Sequence, residues 1–226
     1  LGTENQNLPG FVVVGQGAPA IGGAAQWGNG FLPAAYQGTL FRNGPTPIVN
    51  LKPQPGQSLE RQRDELNLLR WLNERHAAHR TSTLDLEGRI AAYEVAYKMQ
   101  TEAPELIDIG DETEATKTLY GIDESDTDTF GRQCLLARRM VERGVRFVKL
   151  LHGRGKPWDQ HGGIKGRLPQ LCREVDKPVT GLLHDLRSRG LLEDTLVVWA
   201  SEMGRTPWDS NLTQSDPGRD HNNYSL

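Results

Sequence analysis

No apolar run in these 226 residues approaches the roughly 20 needed to carry a helix across a bilayer, so no transmembrane segment is expected. No block of five basic residues occurs and the formal net charge is −3, which leaves no electrostatic footprint for nucleic acid. Cysteine is scarce. Only Cys134 and Cys172 occur, both in helix-like stretches and without Cys-x-x-Cys spacing. They read as free, largely buried thiols, with a disulfide or a reactive role as the alternative. No internal repeat and no low-complexity tract stands out. An initiator methionine and a signal peptide are also missing: the chain opens LGTENQNLPG and stops at HNNYSL, five residues after His221. The expectation is a fragment of a longer protein.

What is abundant is glycine and proline, at 25 and 13 residues. They concentrate in 15–57, which reads as one long irregular segment after a short buried strand, FVVV, at 11–14. Helix follows. SLERQRDELNLLRWLNERHAAHR starts from a serine N-cap at Ser58 and is rich in strong helix formers. A second helix is expected near 83–101, where Leu86, Ile90, Tyr93 and Tyr97 fall on one face. The pair over 58–101 reads as an antiparallel hairpin, a lid or insertion within a single α/β domain covering 1–226. TEAPELIDIGDETEATKTLYG is acidic and broken, with one short helix at most.

From residue 128 the grammar changes. DTFGRQCLLARRMVERG is a helix ended by Gly144, VRFVKLL (145–151) a strand, and 163–189 a helix kinked at Pro178 and stopped by Gly190. TLVVWAS (195–201) reads as a second strand. Helix–strand–loop–helix–strand–loop predicts an α/β fold with a parallel sheet flanked by helices. Two phosphate-binding signatures fail. Gly15-x-Gly17-x-x-Ala20 is followed by more glycine rather than by an amphipathic helix, and HGRGKP (152–157) lacks P-loop spacing.

Ligands of parallel sheets bind beyond the carboxyl ends of the strands. The first C-terminal strand delivers His152, Lys156, Asp159 and His161. The second delivers Glu202 and Arg205 in SEMGRTP, and a later loop carries Arg219, Asp220 and His221. Imidazole and carboxylate together suit a divalent ion. In WDQHGG, Asp159 and His161 can both turn toward one ion, with Gly162 and Gly163 allowing a tight turn behind them. Arg205 or Arg219 could grip an anionic ester through a bidentate contact. Spacing alone leaves other roles open. Glu202 could start a helix with Arg205 as its surface partner, and His221 could be a solvated residue. His152 stands evenly between a structural role and a site role. His76 and His79 lie on a polar helix face and His184 in mid-helix, where structural roles are expected.

CLLARRMVERGVRFVKL, WDQHGG, LLEDTLVVWASEMGRTP and GRDHNNYSL, in that order, resemble the family called domain of unknown function 1501. GFLPAAYQGTLF and NLKPQPGQSLERQRDELNLLRWLN are similar to its middle part. The resemblance covers nearly the whole chain. It implies a sulfatase-like fold of the alkaline phosphatase superfamily, with one or two metals at the strand ends. By motif, Asp159, His161 and His221 would bind one divalent ion (zinc, manganese, calcium or magnesium). Glu202 takes the place of an acidic ligand for a second. The resemblance also implies a metal-dependent hydrolase of small anionic sulfate or phosphate esters, with Glu202 and Arg205 as catalytic residues and Arg205, Arg219 and His152 touching substrate. Location in the periplasm or outside the cell is implied in the same way. Two departures qualify this. Met203 stands where related enzymes often have histidine, and a thioether is a poor ligand for a hard divalent ion. The early strand that carries an acidic ligand and the nucleophile has no counterpart here, and Ser201 beside Glu202 reads as strand-end packing. The alternatives are a binding-only member of the superfamily and an envelope structural protein using the 58–101 hairpin as its contact face. Open sheet edges would favour a homo-oligomer.

Overall fold

The structure, a computed structural model, describes the chain apart from residues 1–4, 16–22, 45, 50, 54, 79–83, 154, 202, 212, 214, 223, 225 and 226. It is a mixed α/β protein whose residues cluster into two units. One comprises 1–111 with 139–151, the other 112–138 with 152–226.

The first unit is built on three parallel strands: β1 (Phe11–Gly15), β2 (Thr39–Arg42) and β3 (Phe147–Leu150). Their order is β2-β1-β3, with Val13 opposite Leu40 on one side and Lys149 on the other. The central strand is a run of β-branched residues, and Val12, Val13 and Val14 are all buried. That continuous apolar run is what a parallel strand covered on both faces requires. β2 was not expected. TLFR is only four residues long and lies inside a glycine-rich stretch, so periodicity gives it no signal; pairing with β1 makes it a strand.

Helices α1 (Leu59–Ala77) and α2 (Leu84–Ile107) belong to the same unit. Ser58 caps α1 as expected, its hydroxyl accepting from the Arg61 N–H at 3.1 Å. The two helices are tied by Glu94, which meets Arg63 at 2.6 Å and Arg70 at 2.7 Å. The Arg63 hydrogen bond is the main reason why the Glu94 carboxyl sits below the usual carboxylate range. No α1 residue is fully buried, and Leu68, Trp71 and Leu72 stay exposed. α2 runs further than its sequence suggests, through Pro104 to Ile107. Met99, Ala103 and Leu106 form a buried stripe there, and that burial outweighs the N–H lost at proline. Arg139 then donates to the Leu106 and Glu105 carbonyls at 2.9 and 2.7 Å, closing the helix C-terminus.

The second unit holds α3 (Glu114–Leu119), the first part of α4 (Asp128–Glu142) and α5 (Ile164–Ser188), with the two-residue strands β4 (Gly204–Arg205) and β5 (His221–Asn222). The α5 stripe is Leu171, Val175, Leu182 and Leu186, all buried. Leu168, one turn before Leu171, is exposed. Arg138 pairs with Glu112 at 2.7 Å and with Asp185 at 2.9 Å, and all three side chains are largely buried. The Tyr120 hydroxyl donates to Asp185 at 3.0 Å. Burial opposes the ionised form of Asp185, but Arg189, Tyr120 and Arg138 together hold it below its ordinary value. As expected, α4 ends at a left-handed Gly144 and α5 at a left-handed Gly190.

One element differs outright. TLVVWAS (195–201) forms no strand; Leu196, Val198 and Trp199 are 87%, 69% and 67% exposed. β-branched residues favour extended backbone, but a strand needs a neighbour to pair with, and this segment has none among the described residues. No described helix is long and apolar enough to cross a membrane.

Candidate metal centre

Three segments of the second unit make the site, and backbone hydrogen bonds set their positions. The WDQH loop folds back tightly, with the Asp159 N–H on the Lys156 carbonyl at 3.2 Å and the Gln160 N–H on the Trp158 carbonyl at 3.0 Å. Gly163 follows with φ 68°, a left-handed turn that starts α5 and that a side chain would strain. Gly163 has no side chain to cap that helix. Asp216 does so from the GRDH loop, accepting from the Lys165 N–H at 3.3 Å and, through its carbonyl, from Gly163 at 2.8 Å.

The two loops then run in contact. Arg219 N–H donates to the Gln160 carbonyl at 2.9 Å, and Gly162 bridges Pro217. A Cβ on Gly218 would stand 2.2 Å from the Gln160 carbonyl oxygen and 2.3 Å from the Gly162 nitrogen. Only glycine allows that approach. Buried Asp209 holds the turn from the other side, accepting from the Gly218 N–H at 2.9 Å and the Asn211 N–H at 2.8 Å. The third segment is β4, whose antiparallel pairing with β5 sets Arg205 directly opposite His221.

The result is a cluster around Asp159. His161 Nε2 and His221 Nε2 each lie 3.0 Å from Asp159 Oδ1. Arg205 Nη2 donates to the same oxygen, and Lys156 Nζ lies 3.5 Å from Oδ2. Arg205 also donates through Nη1 to the Arg219 carbonyl at 3.0 Å. The Arg205 hydrogen bond first, then that of His221, hold the Asp159 carboxyl well below the usual carboxylate range. One ligand atom from each of Asp159, His161 and His221 lies within 4.8 Å of the others. The Asp159 side chain is 12% exposed, but those of His161 and His221 are 48% and 42% exposed, so solvent and solutes reach the cluster. Two imidazoles and an ionised carboxylate form a donor set that fits zinc or manganese and leaves coordination positions open.

The remaining sequence candidates are placed differently. His152 accepts from the Trp158 indole N–H through Nδ1 at 3.0 Å, lies 3.1 Å from Glu174 through Nε2, and meets Phe130 edge-on. All three partners lie outside the Asp159 cluster. Burial lowers the His152 imidazole below its ordinary value, partly offset by Glu174. Arg219 is exposed, and among the described residues the site segments engage its backbone. Glu202 and His79 lie outside the described residues. The Ser201 hydroxyl donates to the Met203 carbonyl at 3.2 Å. His76 and His184 are exposed on α1 and α5. Cys134 is buried and Cys172 half-buried, and both are free thiols; burial pushes the Cys134 thiol well up.

Sequence reasoning gave no role to Asp209, Ser210 or Asp216, and named Asp220 only as one of the groups a loop delivers to the site. His161 Nδ1 lies 3.2 Å from Asp220 Oδ1, and the Ser210 N–H donates to Asp220 Oδ2 at 2.6 Å. Ser210 first and His161 next keep the Asp220 carboxyl below its usual value. Asp220 was visible as a carboxylate next to His221. Asp209 and Asp216 carried no signal beyond the ordinary preference of aspartate for turns.

Fold and cluster together define a mixed α/β protein with a solvent-reachable His₂–Asp centre. The chain belongs to the family described as protein of unknown function (DUF1501), which matches it over residues 1–226. No curated protein and no solved structure matches it.

Proposed function

We propose that this chain carries the metal-binding part of a hydrolase of sulfate or phosphate esters, with the alkaline-phosphatase-like fold implied by its sequence motifs. Asp159, His161 and His221 hold one divalent ion. The observation that carries the proposal is the convergence of their ligand atoms within 4.8 Å, with Asp159 and His161 on one loop and His221 on another, 62 positions from Asp159 in sequence. A bound divalent ion supplies positive charge that polarises the ester and stabilises a developing oxyanion. The rest is done by side chains of this chain. Arg205, fixed by the Arg219 carbonyl, is the main cause that holds the Asp159 carboxyl well below the usual carboxylate range. Arg219, whose carbonyl holds Arg205, carries an exposed guanidinium, a fork that matches the oxygens of a sulfate or phosphate group. Glu202, three positions before Arg205, is the acidic partner for a second ion or for a ligand of the first. The attacking hydroxyl belongs, on this proposal, to the early strand implied by the superfamily resemblance.

The experiment is turnover of aryl sulfates and aryl phosphates by the full-length protein, with and without zinc, manganese, calcium and magnesium. Metal-dependent turnover that is lost in both His161→Ala and His221→Ala supports the proposal. Full activity in both variants refutes the site. A second reading, a member of the superfamily that binds metal or anion without catalysis, is favoured by Met203 next to Glu202. Stoichiometric metal binding without turnover of any ester would select it.

A further inference from the structure

We infer that the outer face of α1 is a dimer interface, covered by α1 of a second copy of this chain running antiparallel. The surface belongs to the first unit and involves no residue of the metal centre. A surface helix ordinarily turns its apolar stripe inward and its polar residues to water. α1 does the reverse. Arg63 and Arg70 are turned toward α2, where both meet Glu94. On the opposite side of the helix, Leu68, Trp71 and Leu72 are all exposed. Their i, i+3, i+4 spacing makes them one contiguous stripe rather than scattered surface residues.

Charge chooses the occupant. Asp64 and Glu65 stand one turn before the stripe and Arg75 and His76 one turn after it, on the same face. Arg61 bridges Glu65 at 3.1 Å, whereas Asp64 has no ion pair among the described residues. At the other end, the Arg75 guanidinium lies over the Trp71 ring at 4.8 Å, a contact that lengthens the stripe and leaves a cation at its edge. Along the helix axis the face is therefore acidic, then apolar, then basic.

That order is self-complementary in one direction. Two copies set antiparallel about a two-fold axis near Arg70 pack Leu68 of one on Leu72 of the other. Asp64 then meets Arg75 and Glu65 meets His76, and each contact occurs twice. Parallel copies would set acid against acid and base against base. A uniformly acidic or basic partner would match one end of the face and be repelled by the other. The stripe is short, so the association is weak and concentration-dependent rather than permanent.

Sedimentation velocity of the full chain, from micromolar to millimolar concentration, should show a monomer–dimer equilibrium. Leu72→Lys should remove the dimer at every concentration. That residue is exposed, so the circular-dichroism spectrum and urea midpoint of the variant should stay those of the wild type. Asp64→Lys and Arg75→Glu should each weaken dimerisation by about tenfold or more, because each change acts twice across the axis. Combining them in one chain exchanges the two charges and should restore the dimerisation constant to within about threefold of wild type. A wild type that is monomeric throughout the series overturns the inference. So does a dimer that keeps its constant in Leu72→Lys. A combined variant that dimerises no better than the two single ones overturns the antiparallel pairing.

Discussion

Replacing Gly218 by alanine should dismantle the centre without touching a ligand. The added methyl would lie 2.2 Å from the Gln160 carbonyl oxygen and 2.3 Å from both the Gly162 nitrogen and the His161 carbonyl carbon. All three are backbone atoms, so no rotamer change relieves the clash. The WDQH and GRDH loops must separate by about 1 Å to regain ordinary contact. That movement breaks the Arg219–Gln160 hydrogen bond, now 2.9 Å, and strains the Gly163–Asp216 bond at 2.8 Å. Overpacking costs about 1–3 kcal/mol and each lost backbone hydrogen bond about 1 kcal/mol, so the assembled site should lose ~2–4 kcal/mol. If that falls on the metal-competent arrangement, zinc affinity drops by about 30- to 1,000-fold. Competition titration against a chromophoric chelator reads this directly. The control is Gly166→Ala in the first turn of α5, where an added Cβ meets nothing within 4 Å and zinc affinity should not change. If Gly218→Ala binds zinc within threefold of wild type, the close approach of the two loops is not what assembles the site.

Two further predictions concern the fold. Arg138→Met leaves Glu112 and Asp185 buried without their shared cation, and urea unfolding should show a loss of about 3–5 kcal/mol; a loss below about 1 kcal/mol would mean that the network is not buried as described. His152 has a folded-state value below its ordinary one, so the unfolded chain binds its proton first as pH falls. Its contribution to stability is complete above about pH 6.5 and declines below that value. The urea midpoint of the wild type should therefore fall more steeply from pH 7 to pH 5 than that of His152→Gln, and equal slopes would contradict the burial assigned to this ring.

The sequence carried the local elements well where one physical signal dominated. Ser58 as a cap, the β-branched run of β1, and glycines at 144 and 190 were each sufficient to mark a boundary. It failed where pairing decides. TLFR is a strand because β1 lies beside it, and TLVVWAS, with the stronger β propensity, is not one because nothing described pairs with it. Pro104 hid the last turns of α2, since the burial of Ala103 and Leu106 that sustains them is a tertiary fact. The ligand candidates were legible because Asp-x-His between a strand and two glycines is a local pattern, and GRDH supplied a second histidine. His152 stood in the same loop and was left evenly between a structural role and a site role; its partners, Glu174 and Phe130, come from helices that sequence spacing does not place. The residues that hold the loops together, Asp209, Asp216 and Gly218, left no trace, because an aspartate or glycine in a turn looks the same whether or not it bridges two loops.

The most direct test of the central claim is the metal content of this chain, measured by elemental analysis after equilibration with zinc or manganese, using untagged protein and no chelator. The account predicts near-stoichiometric metal in the wild type and its loss in His161→Ala. Wild-type protein that holds no metal, or a His161→Ala variant that holds as much as wild type, would contradict it.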